Sequence, residues 1–149
     1  MADVEENLLS VTVSLIVHQN YAYIAGALRS LYATIHVDIL HVYVIINAGT
    51  ASDIAQLQAE FPKINYIINE VPQGFASNHN MVMRRATTDY VALLNDDILL
   101  HDGAMDKLLT YLHEHKDVAL SGGQLFNPDG SKQVSVYSDP GLLRSIYKI

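Results

Sequence analysis

Apolar positions along the chain alternate between two kinds of pattern. Val11 to Val17, His41 to Ile46, Ile64 to Ile68 and Tyr90 to Leu94 are short, nearly continuous apolar runs rich in β-branched residues, the signature of strands buried on both faces. Between them the apolar residues return at helical spacing. Tyr21, Ile24, Leu28, Leu31 and Tyr32 predict a first helix, with Asn20 placed to cap it. Ile54, Leu57 and Phe61 predict a second, opened by Ser52 or Asp53 and ended by Pro62. A third is expected from about Phe75 to Ala86, with Phe75, Val82 and Ala86 on one face. Asp102 is expected to cap a fourth, whose buried stripe would be Ala104, Leu108, Tyr111, Leu112 and His115. Asp117 to Leu120 reads as a short fifth strand. Strand and helix alternating in this way predict a three-layer α/β/α domain with a mostly parallel sheet and right-handed crossovers. After Gly122 the alternation stops. Two short extended pieces flank an Asp129-Gly130 turn, and "GLLRSIYKI" reads as a helix beginning and then cut off.

Length and composition narrow the class. A chain of 149 residues is the size of one domain and buries roughly two-thirds of its unfolded surface. The formal net charge of -7 disfavours nucleic acid and anionic lipid as partners, because phosphate-rich surfaces require clustered Lys and Arg. The absence of cysteine removes disulfides and thiolate metal sites, and fits a reducing compartment. The acidic start "MADVEENLLS" is unlike a secretory signal, and no apolar stretch approaches the ~20 residues a bilayer span requires. A soluble, cytoplasmic protein without a transmembrane segment is the expectation.

In an open α/β sheet, ligands sit beyond the carboxyl ends of the strands, so the residues just after each apolar run carry the candidate chemistry. Four sets qualify: His18-Gln19-Asn20; Asn47-Ala48-Gly49-Thr50; Asn69-Glu70 with the following "PQGF"; and Asn95-Asp96-Asp97. Two adjacent carboxylates repel each other and lose solvation, a cost that a hard cation such as Mg²⁺ or Mn²⁺ shared with a phosphate would offset. Taken alone, the three residues read equally well as a solvated turn held by Asx hydrogen bonds. No phosphate-cradling Gly-x-x-x-x-Gly-Lys motif and no Gly-x-Gly-x-x-Gly follows the first strand, which argues against kinases, ATPases and dehydrogenases. The seven histidines have no metal-ligand spacing, and only His18 and His79 fall near the predicted site. Arg84 and Arg85 read as solvated cations at a helix end, with a phosphate contact as the alternative.

Several segments in order carry a more specific likeness. "SLIVHQN", "GFASNHN" and the ungapped "TDYVALLNDDILLHDGAMDKLLTYLHEHKDVALSGGQLFNPDGS" resemble family-2 glycosyltransferases of the GT-A type, the Rossmann-like fold of nucleotide-diphospho-sugar transferases, and in particular their rhamnosyltransferase-like branch. The resemblance implies a nucleoside-diphosphate sugar as donor, a saccharide or lipid-linked acceptor, inversion at the transferred carbon, and Mg²⁺ or Mn²⁺ as cofactor. It implies that Asp97 is the metal ligand, matching the last acid of the family's Asp-x-Asp. Asn95 stands for the first acid, and Asp96 for the middle position, often Pro in this branch. His18, Gln19 and Asn20 would flank the base, Gly74 would let the backbone approach the donor, and Asn80 matches the Asn closing the Gly-Phe-Ala segment. Asn47 stands where the family usually places an Asp that accepts hydrogen bonds from the base. No catalytic base is assigned, because the family's lies after the region of Ser131; the expectation is therefore one incomplete domain over residues 1–149, its C-terminal side truncated and its exposed apolar surface favouring a homodimer. A non-catalytic nucleotide-sugar-binding or interaction module on the same fold is the alternative, and a sugar nucleotidyltransferase, which needs a Gly-rich basic loop where "HQNYAY" stands, ranks below both.

Overall fold

The computed structural model describes residues 9–18, 21–48 and 50–135. It contains strands β1 (Ser10–His18), β2 (Asp38–Ala48), β3 (Asn65–Ile68) and β4 (Tyr90–Asn95), and helices α1 (Tyr21–Thr34), α2 (Ala51–Glu60), α3 (Phe75–Met83) and α4 (Ala104–Glu114). The strands form one parallel sheet in the order β3-β2-β1-β4. From β1 the chain steps outward through α1 to β2 and through α2 to β3. It then returns across the sheet, through α3, to the far side of β1. With right-handed crossovers, this reversal places α3 on the opposite face from α1 and α2.

Side-chain alternation along the strands confirms the layers. Val11, Val13, Leu15 and Val17 of β1 and Val42, Val44 and Ile46 of β2 point into one core with Ile24, Ala27, Leu28 and Leu31 of α1, Leu57 of α2, and Met105 and Leu109 of α4. Each fully buried aliphatic side chain here contributes about 1.5–3 kcal/mol, so this face dominates the fold's stability. The other face carries Thr12, Ser14, Ile45 and Asn47, and α3 lies over β1 with Asn78, His79 and Val82 turned inward.

Several expectations are corrected. Thr50, not Ser52 or Asp53, caps α2: its Oγ1 accepts from the Asp53 N–H at 3.3 Å and donates to the Asp53 carboxylate at 2.6 Å. Helix α3 ends at Met83, and Arg84 to Ala86 continue only as a hydrogen-bonded turn. The first position of α4 follows Gly103, whose φ of 63° is a left-handed conformation that glycine adopts without a Cβ clash; Asp102 is not the cap and instead meets His36 Nε2 at 3.3 Å. The buried stripe of α4 is also rotated, running through Met105 and Leu109 while Tyr111 and His115 face solvent. The cause is Asp106, whose Oδ1 accepts the backbone N–H groups of His36 at 2.9 Å and Val37 at 2.8 Å and so fixes the helix about its axis. Asp117 to Leu120 forms no strand: the Val118 N–H turns back to the His115 carbonyl at 2.9 Å, and Leu120 is 89% exposed. The Asp-Gly turn forms as expected, with Gly130 at φ 82° and a bridge between Phe126 and Lys132. The predicted terminal helix lies outside the described residues.

Candidate active site

The strand order departs in opposite directions on either side of β1, so the carboxyl ends of β1 and β4 frame a topological switch point, the place where open α/β sheets bind ligands. Ile16 of β1 is in register with Asn95, which brings His18 next to the turn Asp96-Asp97. The His18 backbone lies close enough to the Asp96 carboxylate to favour its charged form. Asp96 is half-buried, and its pKa is raised: burial is the main cause and the neighbouring Asp97 adds to it, while hydrogen bonds from the His18 and Asp96 backbone and the His18 charge work the other way. Asn95 and Asp97 are exposed at the same rim.

A second feature of this rim lies beside β2. The register of β2 against β1 slips between Val17 and His18, pairing Ile46 and then Ala48, so Asn47 is the extra residue of a bulge. Its side chain is only 9% exposed. Asn47 Oδ1 accepts from the Gln73 N–H at 2.8 Å, Asn69 Nδ2 at 2.9 Å and Asn78 Nδ2 at 3.2 Å, and Asn47 Nδ2 donates to the Gln73 carbonyl at 3.0 Å. Asn69 also donates to Asn78 Oδ1 at 2.8 Å, and Asn78 Nδ2 donates to the Gln73 carbonyl at 3.2 Å. Three amides from β2, from the end of β3 and from α3 thereby hold one backbone segment.

The residues singled out in the sequence are distributed unevenly. His18, Asn95, Asp96 and Asp97 gather at the switch point; Gln19, Asn20 and Gly49 lie outside the described residues. Gly74 precedes α3 with φ -68° and ψ 157°, a conformation open to any residue, and a Cβ there would meet nothing within 4 Å. The fold therefore does not require glycine at this position, and what glycine leaves is room. Asn80 is exposed on α3. His79 is not in the site: it is 2% exposed beneath α3, with Nδ1 against Ser14 Oγ at 2.9 Å and the Phe75 ring edge-on at 4.4 Å. Burial lowers its pKa, and its Nε2 has no hydrogen-bond partner among the described residues. Arg84 and Arg85 sit at the far end of α3, away from the carboxyl rim, with Arg85 bonded to the Met81 carbonyl at 2.9 Å. Asn78 went unrecognised because the inward stripe of α3 is mostly polar; the spacing of Asn78, His79 and Val82 was the available signal, while Phe75, expected on that face, is 61% exposed.

Concavities of about 230 and 210 Å³ lie at the opposite, amino edge of the sheet, the first among Leu9, Asp89, Tyr90, His113 and Lys116, the second among Tyr32, Glu60, Phe61, Pro62, Lys63 and Ile64. Neither offers a carboxylate pair, and Asp89 is engaged by Ser10 at 2.7 Å. The carboxyl rim is therefore the better candidate site. Among the described residues no group of three or more His, Asp or Glu side chains could enclose a metal ion. Two carboxylates, one already disfavoured in its charged form by burial, fit a cation of the Mg²⁺ or Mn²⁺ kind that completes its shell with water and ligand phosphates.

A parallel sheet whose order reverses at a switch point defines an open α/β domain with helices on both faces. Residues 12–146 match the model of glycosyl transferase family 2, and the chain belongs to that family. The chain has no significant match among curated protein sequences. Among solved structures it resembles the mannosyltransferase PcManGT from Pyrobaculum calidifontis, in complex with GDP-Man and Mn²⁺, at 20% identity and a TM-score of 0.57 over 68% of this chain and 32% of that one. It also resembles TarS from S. aureus, residues 1-349, at 17% identity and 0.60 over 72% and 33%. GalNAc-T7 with UDP, GalNAc and Mn²⁺ aligns at 14% identity and 0.62 over 72% and 22%. The fold is GT-A, and the chain spans a third or less of the length of these structures. No helix among the described residues is long and apolar enough to cross a membrane.

Proposed function

We propose that this domain binds the nucleoside-diphosphate sugar of a metal-dependent, inverting glycosyltransferase that passes the sugar to a hydroxyl of a saccharide or lipid-linked acceptor. The observation that carries the reading is Asp96: a half-buried carboxylate at the switch point beside the His18 backbone, with the exposed Asp97 next to it in a chain of this family. Asp97, assisted by Asp96, would hold the Mg²⁺ or Mn²⁺; when bound, such a cation offsets the negative charge on a departing diphosphate. Asn95 presents a neutral amide to sugar or ribose hydroxyls. His18, with Gln19 and Asn20, flanks the base, Gly74 leaves space for the donor, and Asn80 borders it on α3. No residue is assigned as the base that deprotonates the acceptor.

Titration calorimetry with uridine, thymidine and guanosine diphosphates, with and without Mn²⁺, tests this. Binding of at least one nucleotide that strengthens with Mn²⁺ is expected. Failure of all three to bind in a metal-dependent way overturns the donor site and leaves the alternative, a non-catalytic interaction module. That alternative draws its support from the amides at residues 47 and 95, where the resemblance leads one to expect acids.

A further inference from the structure

Residue 47 is the bulged residue of β2 at the carboxyl rim, and its side chain is turned into the protein. Its amide meets both the N–H and the C=O of Gln73, at 2.8 and 3.0 Å, as the backbone of a neighbouring strand would. We propose that Asn47 is a positioning residue that locks the segment 69–74 against the sheet, and that it does not read the nucleobase. The inference rests on the donor-binding reading above and assigns a different role at the same rim.

Chemistry separates an amide from a carboxylate at this position. Oδ1 already takes three donors, from Gln73, Asn69 and Asn78, leaving it little capacity for a ligand. A carboxylate could accept the same three. It would also set its second oxygen against the Gln73 carbonyl, 3.0 Å from the present Nδ2, with no proton between them. Only Asn78 Nδ2, at 3.2 Å, would then hold that carbonyl. The segment that would be released leads directly into Gly74 and the start of α3, so its position sets the wall of the site beside β2. Residue 47's side-chain contacts are neutral: Asn69 at the end of β3, Gln73 in the loop and Asn78 on α3. The ionisable groups of those elements are Tyr66 of β3, whose hydroxyl donates to the Leu57 and Phe61 carbonyls, the exposed Glu70 of the loop and the buried His79 of α3.

Asn47→Asp in the full chain gives a distinctive test. Amide hydrogen exchange of the Gln73 N–H, read by NMR and corrected for intrinsic rates, is expected to speed up by about tenfold or more at neutral pH relative to wild type. Protection should return as the pH falls and the new carboxyl becomes protonated, because its O–H can then donate to the Gln73 carbonyl. Wild-type protection should stay level over the same range. Calorimetry on the same samples should find all three nucleoside diphosphates weakened together. Asn78→Ala, which leaves every Asn47 contact to Gln73 in place, should retain most of the Gln73 protection and serves if Asn47→Asp does not fold. Unchanged Gln73 exchange in Asn47→Asp, loss of protection in Asn78→Ala as large as in Asn47→Asp, or tighter binding of one nucleotide by Asn47→Asp would overturn the proposal. If wild type binds no nucleotide, the donor-site reading fails, while the exchange measurements still decide whether residue 47 locks the loop.

Discussion

Replacing Asn47 with alanine deletes four hydrogen bonds, but their loss is not felt equally by the groups left behind. The Gln73 carbonyl keeps Asn78, and Asn69 keeps Asn78 Oδ1. The Gln73 N–H loses the acceptor it has, and an unsatisfied donor away from water costs about 1–3 kcal/mol. The bond is half-buried, so water recovers part of this. With the remaining bonds worth about 1 kcal/mol net each and partly compensated, Asn47→Ala should destabilise by about 3 kcal/mol. Asn78→Ala also deletes bonds to all three partners, yet Asn47 still satisfies the Gln73 carbonyl and Asn69. No group is orphaned, and about 2 kcal/mol is expected even though Asn78 is fully buried. Urea unfolding with an unchanged m-value measures both, and the double variant should cost more than the sum, because the Gln73 carbonyl and Asn69, each still held in either single variant, then lose both partners. The reasoning is refuted if Asn78→Ala costs more than Asn47→Ala, or if the two effects add.

Three further outcomes follow from the geometry. Asp97→Asn should weaken Mn²⁺-dependent nucleotide binding by about tenfold or more while leaving unfolding midpoints nearly unchanged, since the residue is exposed; equal affinity in calorimetry would remove it from the metal site. His79, whose pKa burial lowers, is neutral in the folded protein, whereas the unfolded chain takes up its proton below about pH 6.5. Stability from this residue is therefore complete above that pH and is lost as pH falls toward the lowered value, so a Ser14→Ala, His79→Leu double variant should show a flatter acid limb in urea midpoints against pH, and an identical limb would count against the assignment. Arg84→Ala and Arg85→Ala, at the opposite end of α3 from the rim, should leave nucleotide affinity unchanged, and a marked loss from either would put a phosphate contact back at that helix end.

The parts of this fold legible in the sequence are those decided by burial on two sides. The central strands β1 and β2 announce themselves because a parallel strand covered by helices must be apolar almost throughout, while the edge strands β3 and β4 keep the apolar pattern although none of their residues is fully buried. The rotation of α4 was not legible, because Ala104, Leu108 and Leu112 make as good an apolar stripe as Met105 and Leu109, and a carboxylate bonded to a distant backbone segment decides between them. Asp117 to Leu120 has the composition of a strand, but strand propensity needs a partner edge to become structure. The acids after β4 were found from the rule that ligands gather at strand ends. Asn69 was placed there by the same rule, but Asn78 was not, since it is 31 residues from Asn47 and acquires meaning only when the sheet and α3 bring the amides together.

That difference bears on how the rim should be read. Asp96 carries a cost that the fold relieves only in part: burial, with the neighbouring Asp97 adding to it, raises its pKa against a few backbone hydrogen bonds. A cost left standing at a strand end favours a charged ligand. The three amides show the reverse balance, since Asn47 Oδ1 has three donors and Asn78 has partners at both ends of its side chain without any ligand. Their identities are set by one another and by the Gln73 backbone, so substitution there should be felt as loop order first and nucleotide affinity second. At the acids the sequence of effects is inverted: removing charge should relieve the folded chain slightly and cost it the cation. Measuring stability and metal-dependent binding on the same variants separates the two halves of the rim, because the proposed division of roles requires the two quantities to move in opposite proportion at residues 47 and 97.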